Sequence, residues 1–216
     1  MTRSRLFSGR IVHRFVVVAG LLLALLAGCT TSQAGQPAGP APSNPPASSA
    51  TSAPPSPRVS VPPRPAELRL DGVDPCALFT SAQLAALTVE RKRPLASSTE
   101  IYQGMRECGL FSDRPPFAHY DALAVTNEGV EAWFTGKRNV QTQLRSVAGF
   151  AAATYWLAGA SGKKAVDCST SVDVAEGQQL IVTFDNTNDR TFTLEQLCQK
   201  AEQAAAMAVE TLKTLK

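Results

Sequence analysis

The chain has 216 residues, 44% of them hydrophobic and 18% charged, with a formal net charge of +3, five cysteines and two histidines. This is enough apolar content for a folded domain of ordinary size. The positive excess sits in Arg3, Arg5, Arg10 and Arg14; without those four arginines the charge falls from +3 to −1, so net charge gives no argument for a nucleic-acid or acidic partner, and no nucleic acid is expected.

The first 14 residues contain no acid and lead into Phe15 to Ala27, an uncharged apolar run. A membrane-crossing helix needs about 20 apolar residues, so this run is too short to span and fits the core of a signal peptide. It ends Leu26-Ala27-Gly28-Cys29, which resembles the lipobox of bacterial lipoproteins. That resemblance implies cleavage after residue 28 and a diacylglycerol thioether on Cys29, with further acylation (palmitate among the chains) of the new amine. Two or three chains anchor stably, whereas one does not. The expected location is the outer face of the cell membrane.

Cys29 and the residues up to 66 form the next segment. Eleven of the 15 prolines lie between Pro37 and Pro65, separated mostly by Ser, Ala, Thr and Gly. Such a tract buries too little to offset ordering entropy and reads as a disordered linker with polyproline character. Fully stretched, it reaches roughly 110 Å. An unglycosylated spacer is expected.

Residues 67–216 read as one domain. Four cysteines remain, Cys76, Cys108, Cys168 and Cys198. An even count in an oxidising compartment predicts two disulfides. Of the three pairings, Cys76–Cys108 with Cys168–Cys198 is favoured; each loop has an entropy worth of about 3.7 kcal/mol. No metal site is expected, because there is no C-x-x-C pair and His119 is the only histidine beyond the signal.

Thr80 and Gln83 have capping-box spacing and predict a short helix to about Thr88. Arg91-Lys92-Arg93-Pro94 reads as a solvated basic turn. Cys108–Ser112 and Tyr120–Thr126 read as strands joined through the turn residues Asp113-Arg114-Pro115-Pro116. Residues 129–134 suggest a short helix with Trp133 and Phe134 inward, and 151–157 a further strand. Val172 and Val174, then Leu180, Val182 and Phe184, alternate with polar residues around Gly177, the pattern of a hairpin. Thr193 and Gln196 make a second capping box. Behind it Leu194, Leu197, Cys198, Ala201, Ala205, Ala208, Leu212 and Leu215 form one helical stripe. The fold class is therefore α+β: one antiparallel sheet of about five strands, one face covered, with helices mostly on one side and a long C-terminal helix among them.

Asp74-Pro75-Cys76-Ala77-Leu78-Phe79-Thr80 followed by Ala82-Gln83-Leu84-Ala85-Ala86-Leu87 resembles the opening of actinobacterial envelope proteins classed as domain of unknown function 3558. Cys108, Cys168 and Cys198 follow in matching order, and Leu110 stands where the family often has an aromatic residue. The resemblance covers about residues 70–216. It brings no reaction, so it carries no catalytic residues to this chain.

Sharper chemistries find weak support. His119 with Asp121 could serve a hydrolase, but no nucleophile elbow accompanies them. Gly159 to Lys164 lacks the phosphate-loop glycine and hydroxyl and reads as an exposed loop. Asp185 to Asp189 lacks the glycine and closing glutamate of a calcium loop. Glu128 and Glu131 read as a solvated helical face. Trp133, Phe134, Tyr155 and Trp156 read as core before they read as a ligand groove. The expectation is thus no enzyme, no catalytic residue and no cofactor. What remains is a lipid-anchored binding domain for an envelope protein, peptidoglycan or a small ligand. The alternatives are a carrier for an apolar envelope lipid and a cell-wall hydrolase.

Overall fold

The computed structural model describes residues 59–186 and 191–215. The residues read as signal peptide, Cys29 and the stretch read as linker as far as residue 58 lie outside the described residues. In chain order the elements are α1 (Ser81–Ala86), β1 (Arg91–Ala96), β2 (Arg106–Phe111), β3 (His119–Val125), β4 (Val140–Val147), β5 (Phe150–Leu157), β6 (Asp167–Ala175), β7 (Gln178–Asp185) and α2 (Leu194–Leu212). Short 3-10 turns occupy Pro75–Leu78, Glu100–Tyr102, Val130–Phe134 and Gly162–Lys164.

The strands form one antiparallel sheet in the order β1-β2-β3-β7-β6-β5-β4. The α+β class holds, with seven strands where about five were expected. The two additional strands are the sheet's edges. Residues 91–94, read as a basic turn, begin β1, and β4 carries the polar run Val-Gln-Thr-Gln-Leu-Arg-Ser-Val. Edge strands need only one partner and are kept from further pairing by charge and proline. That requirement removes the apolar alternation by which a strand is recognised. Just past the end of β1 the Ser97 amide donates to the Met105 carbonyl. By alternation residues 95, 93 and 91 face β2, and the ring nitrogen of Pro94 faces the open edge.

The β6–β7 hairpin turns at Gly177, whose φ of 64° suits glycine. Val172, Val174, Leu180, Val182 and Phe184 are fully buried beneath α2. That helix starts at the expected capping box: Thr193 N–H donates to Gln196 Oε1 at 2.9 Å, and Thr193 Oγ1 accepts from the Gln196 amide. Its buried stripe is Leu197, Ala201, Ala204, Ala205, Ala208, Val209 and Leu212. Leu215, expected on the stripe, is past the helix end and exposed. The small alanines let α2 sit close to β6 and β7. Helix α1 is also capped as expected but ends at Ala86, and Thr88 turns out at positive φ.

Each disulfide fastens the helical layer to the sheet. Cys76, in the first 3-10 turn, joins Cys108 of β2, and Cys168 of β6 joins Cys198 of α2.

The second face of the sheet is covered at its centre, where one open face was expected. The Val130–Phe134 turn lays Val130 and Trp133 over Val125, Ile181, Ala153 and Tyr155 as a smaller separate core. The last residues of the stretch read as linker also lie on the fold. Val61 packs on this second core, and just past that stretch the Leu68 N–H donates to the Val174 carbonyl. Arg64 holds Asp173 at 2.8 Å, Glu67 at 2.8 Å and Glu176 at 2.9 Å.

Candidate functional site

Helix α2 rests on β6 and β7 and makes little contact with β4 and β5. The β4–β5 hairpin therefore extends beyond the helix, and a groove of about 670 Å³ runs between them. Strand pairing puts Gln141 opposite Trp156, Gln143 opposite Thr154 and Arg145 opposite Ala152. These residues share the sheet face on which α2 lies. The facing helix wall consists of Leu194, Glu195, Cys198, Gln199 and Glu202. Trp156 Nε1 donates to Gln141 Oε1 at 2.9 Å, which fixes the half-buried indole. Glu202 accepts from Thr154 Oγ1 at 2.7 Å and pairs with Arg145 at 3.4 Å, while Arg145 also donates to the Gln143 carboxamide oxygen.

Of the aromatic residues considered from sequence, only Trp156 lines this groove. Trp133 and Tyr155 are core: their rings stack at 3.6 Å, and Phe134 packs beside them. Gln143, Arg145, Thr154, Gln199 and Glu202 escaped the sequence reading. A signal existed in polar residues at period two in 141–145 and in the helical spacing of Glu195, Gln199 and Glu202 beside the alanine stripe.

Glu128 departs from its reading as part of a solvated helical face. It precedes the Val130–Phe134 turn and is the centre of a partly buried network. Arg138 binds both its oxygens, at 2.6 and 2.7 Å, and Tyr102 Oη donates to it at 2.5 Å. Gln179, fully buried, donates to Glu128 and Tyr102 and accepts from Trp133 Nε1 at 2.6 Å. Burial works against the Glu128 charge, yet Arg138 and Tyr102 hold its carboxyl below the usual range. Burial and the adjacent carboxylate push Tyr102 upward. Every partner is engaged, so the network reads as a structural lock between the 3-10 turn and the sheet.

His119 opens β3 as expected but is only one-third exposed. Its ring stacks on Phe111 at 4.5 Å, and Nε2 lies 3.1 Å from Asp121 Oδ1, close enough for an ion pair though not aligned as a hydrogen bond. Ser112 lines the same shallow hollow, but its hydroxyl donates to the Arg114 carbonyl. Asp121 raises the imidazole pKa against the opposing effect of burial, with Asp185 and Glu107 adding to the rise. A raised folded pKa gives stability that is complete below the unfolded value near 6.5 and is lost as pH rises through the folded value. The thermal midpoint is therefore expected to drop from pH 6 to pH 8. In His119→Gln that drop should shrink; an identical drop in both proteins would assign it to other groups.

Residues 159–164 form an exposed connection between β5 and β6, with Gly162 at the groove margin. Asp185 ends β7, and residues 187–190 of the supposed calcium loop lie outside the described residues. Among the described residues no group of three or more metal-ligating side chains converges, and no helix is long and apolar enough to cross a membrane.

The fold and groove define a class: a small α+β domain with a helical layer stapled to its sheet by two disulfides and a mixed-polarity groove at one margin. The chain matches the family described as "Protein of unknown function (DUF3558)" over residues 24–211 and belongs to it. No curated protein and no solved structure matches the chain.

Proposed function

We propose that this chain is a lipid-anchored, extracytoplasmic binding protein that receives its ligand in the groove between α2 and the β4–β5 hairpin. The observation that carries the reading is the uncovered face of that hairpin, where Trp156 is fixed beside an organised polar wall. The volume lies within the roughly 300–1,000 Å³ typical of ligand sites. The Leu26-Ala27-Gly28-Cys29 sequence supports the anchor, and the Pro-rich tract supports a tether long enough to carry the domain away from the bilayer. Two disulfides suit an oxidising compartment. The domain acts by binding an envelope component and performs no reaction. The groove's charged and amide walls do not favour an apolar cargo, and the engaged Ser112 hydroxyl does not favour a His119 hydrolase.

Two measurements on cells producing the full chain test this. The wild type is expected to incorporate labelled palmitate and sediment with membranes, and Cys29→Ala to do neither; equal labelling of the two would remove the anchor. A photoreactive residue at position 199 is expected to crosslink to envelope material, while one at position 144, on the opposite sheet face, does not. Matching results from the two positions would remove the groove.

A further inference from the structure

The groove's chemistry narrows the ligand, on the reading that the groove is the binding site. Its lining cation, Arg145, is already paired with Glu202 and spans to Gln143. Glu195 adds a second carboxylate with no partner among the described residues. The groove thus has a slight negative excess and no uncommitted cation, which disfavours phosphate, polyanions and acidic peptides. An apolar molecule is disfavoured for a different reason. It would strip water from Gln143, Gln199, Glu195 and Glu202 without replacing their hydrogen bonds.

What the groove offers is one flat aromatic surface, neutral amides, the Arg145–Glu202 pair and the Glu195 carboxylate. Trp156 cannot turn its N–H to the ligand, because that proton is given to Gln141. Its contribution is the apolar ring itself. Arg145 holds the Gln143 carboxamide by its oxygen, leaving the NH₂ to donate. Gln199, four residues after Glu195 and three before Glu202 on the same helix face, supplies both a donor and an acceptor from the helix. The carboxylates supply acceptors for hydroxyl groups.

An aromatic plate flanked by amides and carboxylates complements a molecule with a C–H face and a rim of hydroxyls. We infer that the groove binds a neutral oligosaccharide, with one pyranose ring laid on Trp156 and its hydroxyls shared between Gln143, Gln199 and the carboxylates. A sugar ring meets both needs at once: apolar contact across its face and donors and acceptors around its edge, each satisfied on binding.

The experiment uses the full chain in detergent micelles and a panel of neutral oligosaccharides: β-1,4-linked N-acetylglucosamine oligomers, mannan, arabinan and α-glucan fragments. Binding is read by calorimetry and by tryptophan emission. At least one sugar is expected to saturate the protein, with affinity at least tenfold weaker in Trp156→Ala and several-fold weaker in the exposed-position variant Gln199→Ala. Circular dichroism confirms that both variants are folded. Binding should persist in His119→Gln, which lies away from the groove. Saturation that survives both groove substitutions would overturn the assignment, and so would no binding by any sugar. If the sugars fail while a neutral wall-derived peptide saturates at Trp156, the oligosaccharide is overturned and the groove survives. Crosslinking from position 199 judges the groove independently.

Discussion

Replacing Cys168 and Cys198 together by serine is expected to lower the domain's stability by about 2–5 kcal/mol. The bond closes a sequence separation of 30 residues, for which loop-closure entropy alone gives about 3.7 kcal/mol. Domains of this size have roughly 5–15 kcal/mol in total, so the substitution removes a large fraction. Its position adds a local effect. Cys168 is fully buried opposite Phe184 in the β6–β7 ladder, and Cys198 is in the second turn of α2 beside the groove. With the bond gone, α2 is held at that end by Leu197, its capping box and the alanine contacts. Denaturant unfolding of the oxidised wild type and the double-serine chain gives the difference. A loss below about 1 kcal/mol would mean that packing alone secures the helix. Protection of the α2 amides should fall first, because its N-terminal half loses its covalent tie.

Trp133→Ala is expected to cost about 3–5 kcal/mol, the range for deleting a large buried aromatic. Trp133 is 7% exposed and is the centre of the smaller core. Removing it leaves Tyr155 without its stacked partner, Arg138 without the ring 4.0 Å from its guanidinium, and Gln179 without one donor. This core cannot easily refill from the main one, because the sheet separates them. Trp133→Phe keeps an aromatic ring and loses chiefly the indole N–H, so its loss should be nearer 1–2 kcal/mol. Chemical denaturation of the three proteins provides the check. Equal losses for Ala and Phe would place the whole effect in the hydrogen bond and none in the packing.

The parts of the fold that buries apolar side chains at a regular period could be read in advance. The Val172–Phe184 hairpin, the alanine stripe and both capping boxes all announce themselves locally, because period, turn and cap agree. The edge strands do not. Arg91 to Ala96 and Val140 to Val147 are strands because a neighbour supplies hydrogen bonds, and no local pattern reports that neighbour. Glu128 shows the same limit for polar residues. Its partners Arg138, Tyr102 and Gln179 are distant in sequence, so a carboxylate that looks solvated is enclosed. The groove was the least legible feature. It exists because α2 stops short of β4, a matter of how layers overlap. Trp156 stands out in the sequence as an aromatic, but its difference from Tyr155 depends on which side of β5 each residue faces.

The asymmetry of the two sheet margins limits how copies of this chain could join. At β1 the proline ring takes the place of the central outward donor, so a ribbon added there would lack a rung in mid-ladder. At β4 no proline interrupts residues 140–147. Continuation of the sheet from molecule to molecule is thus open on one flank only. Two chains meeting flank to flank through β4 would turn their two proline-bearing margins outward, and the ribbon would close at a pair instead of growing into a fibre.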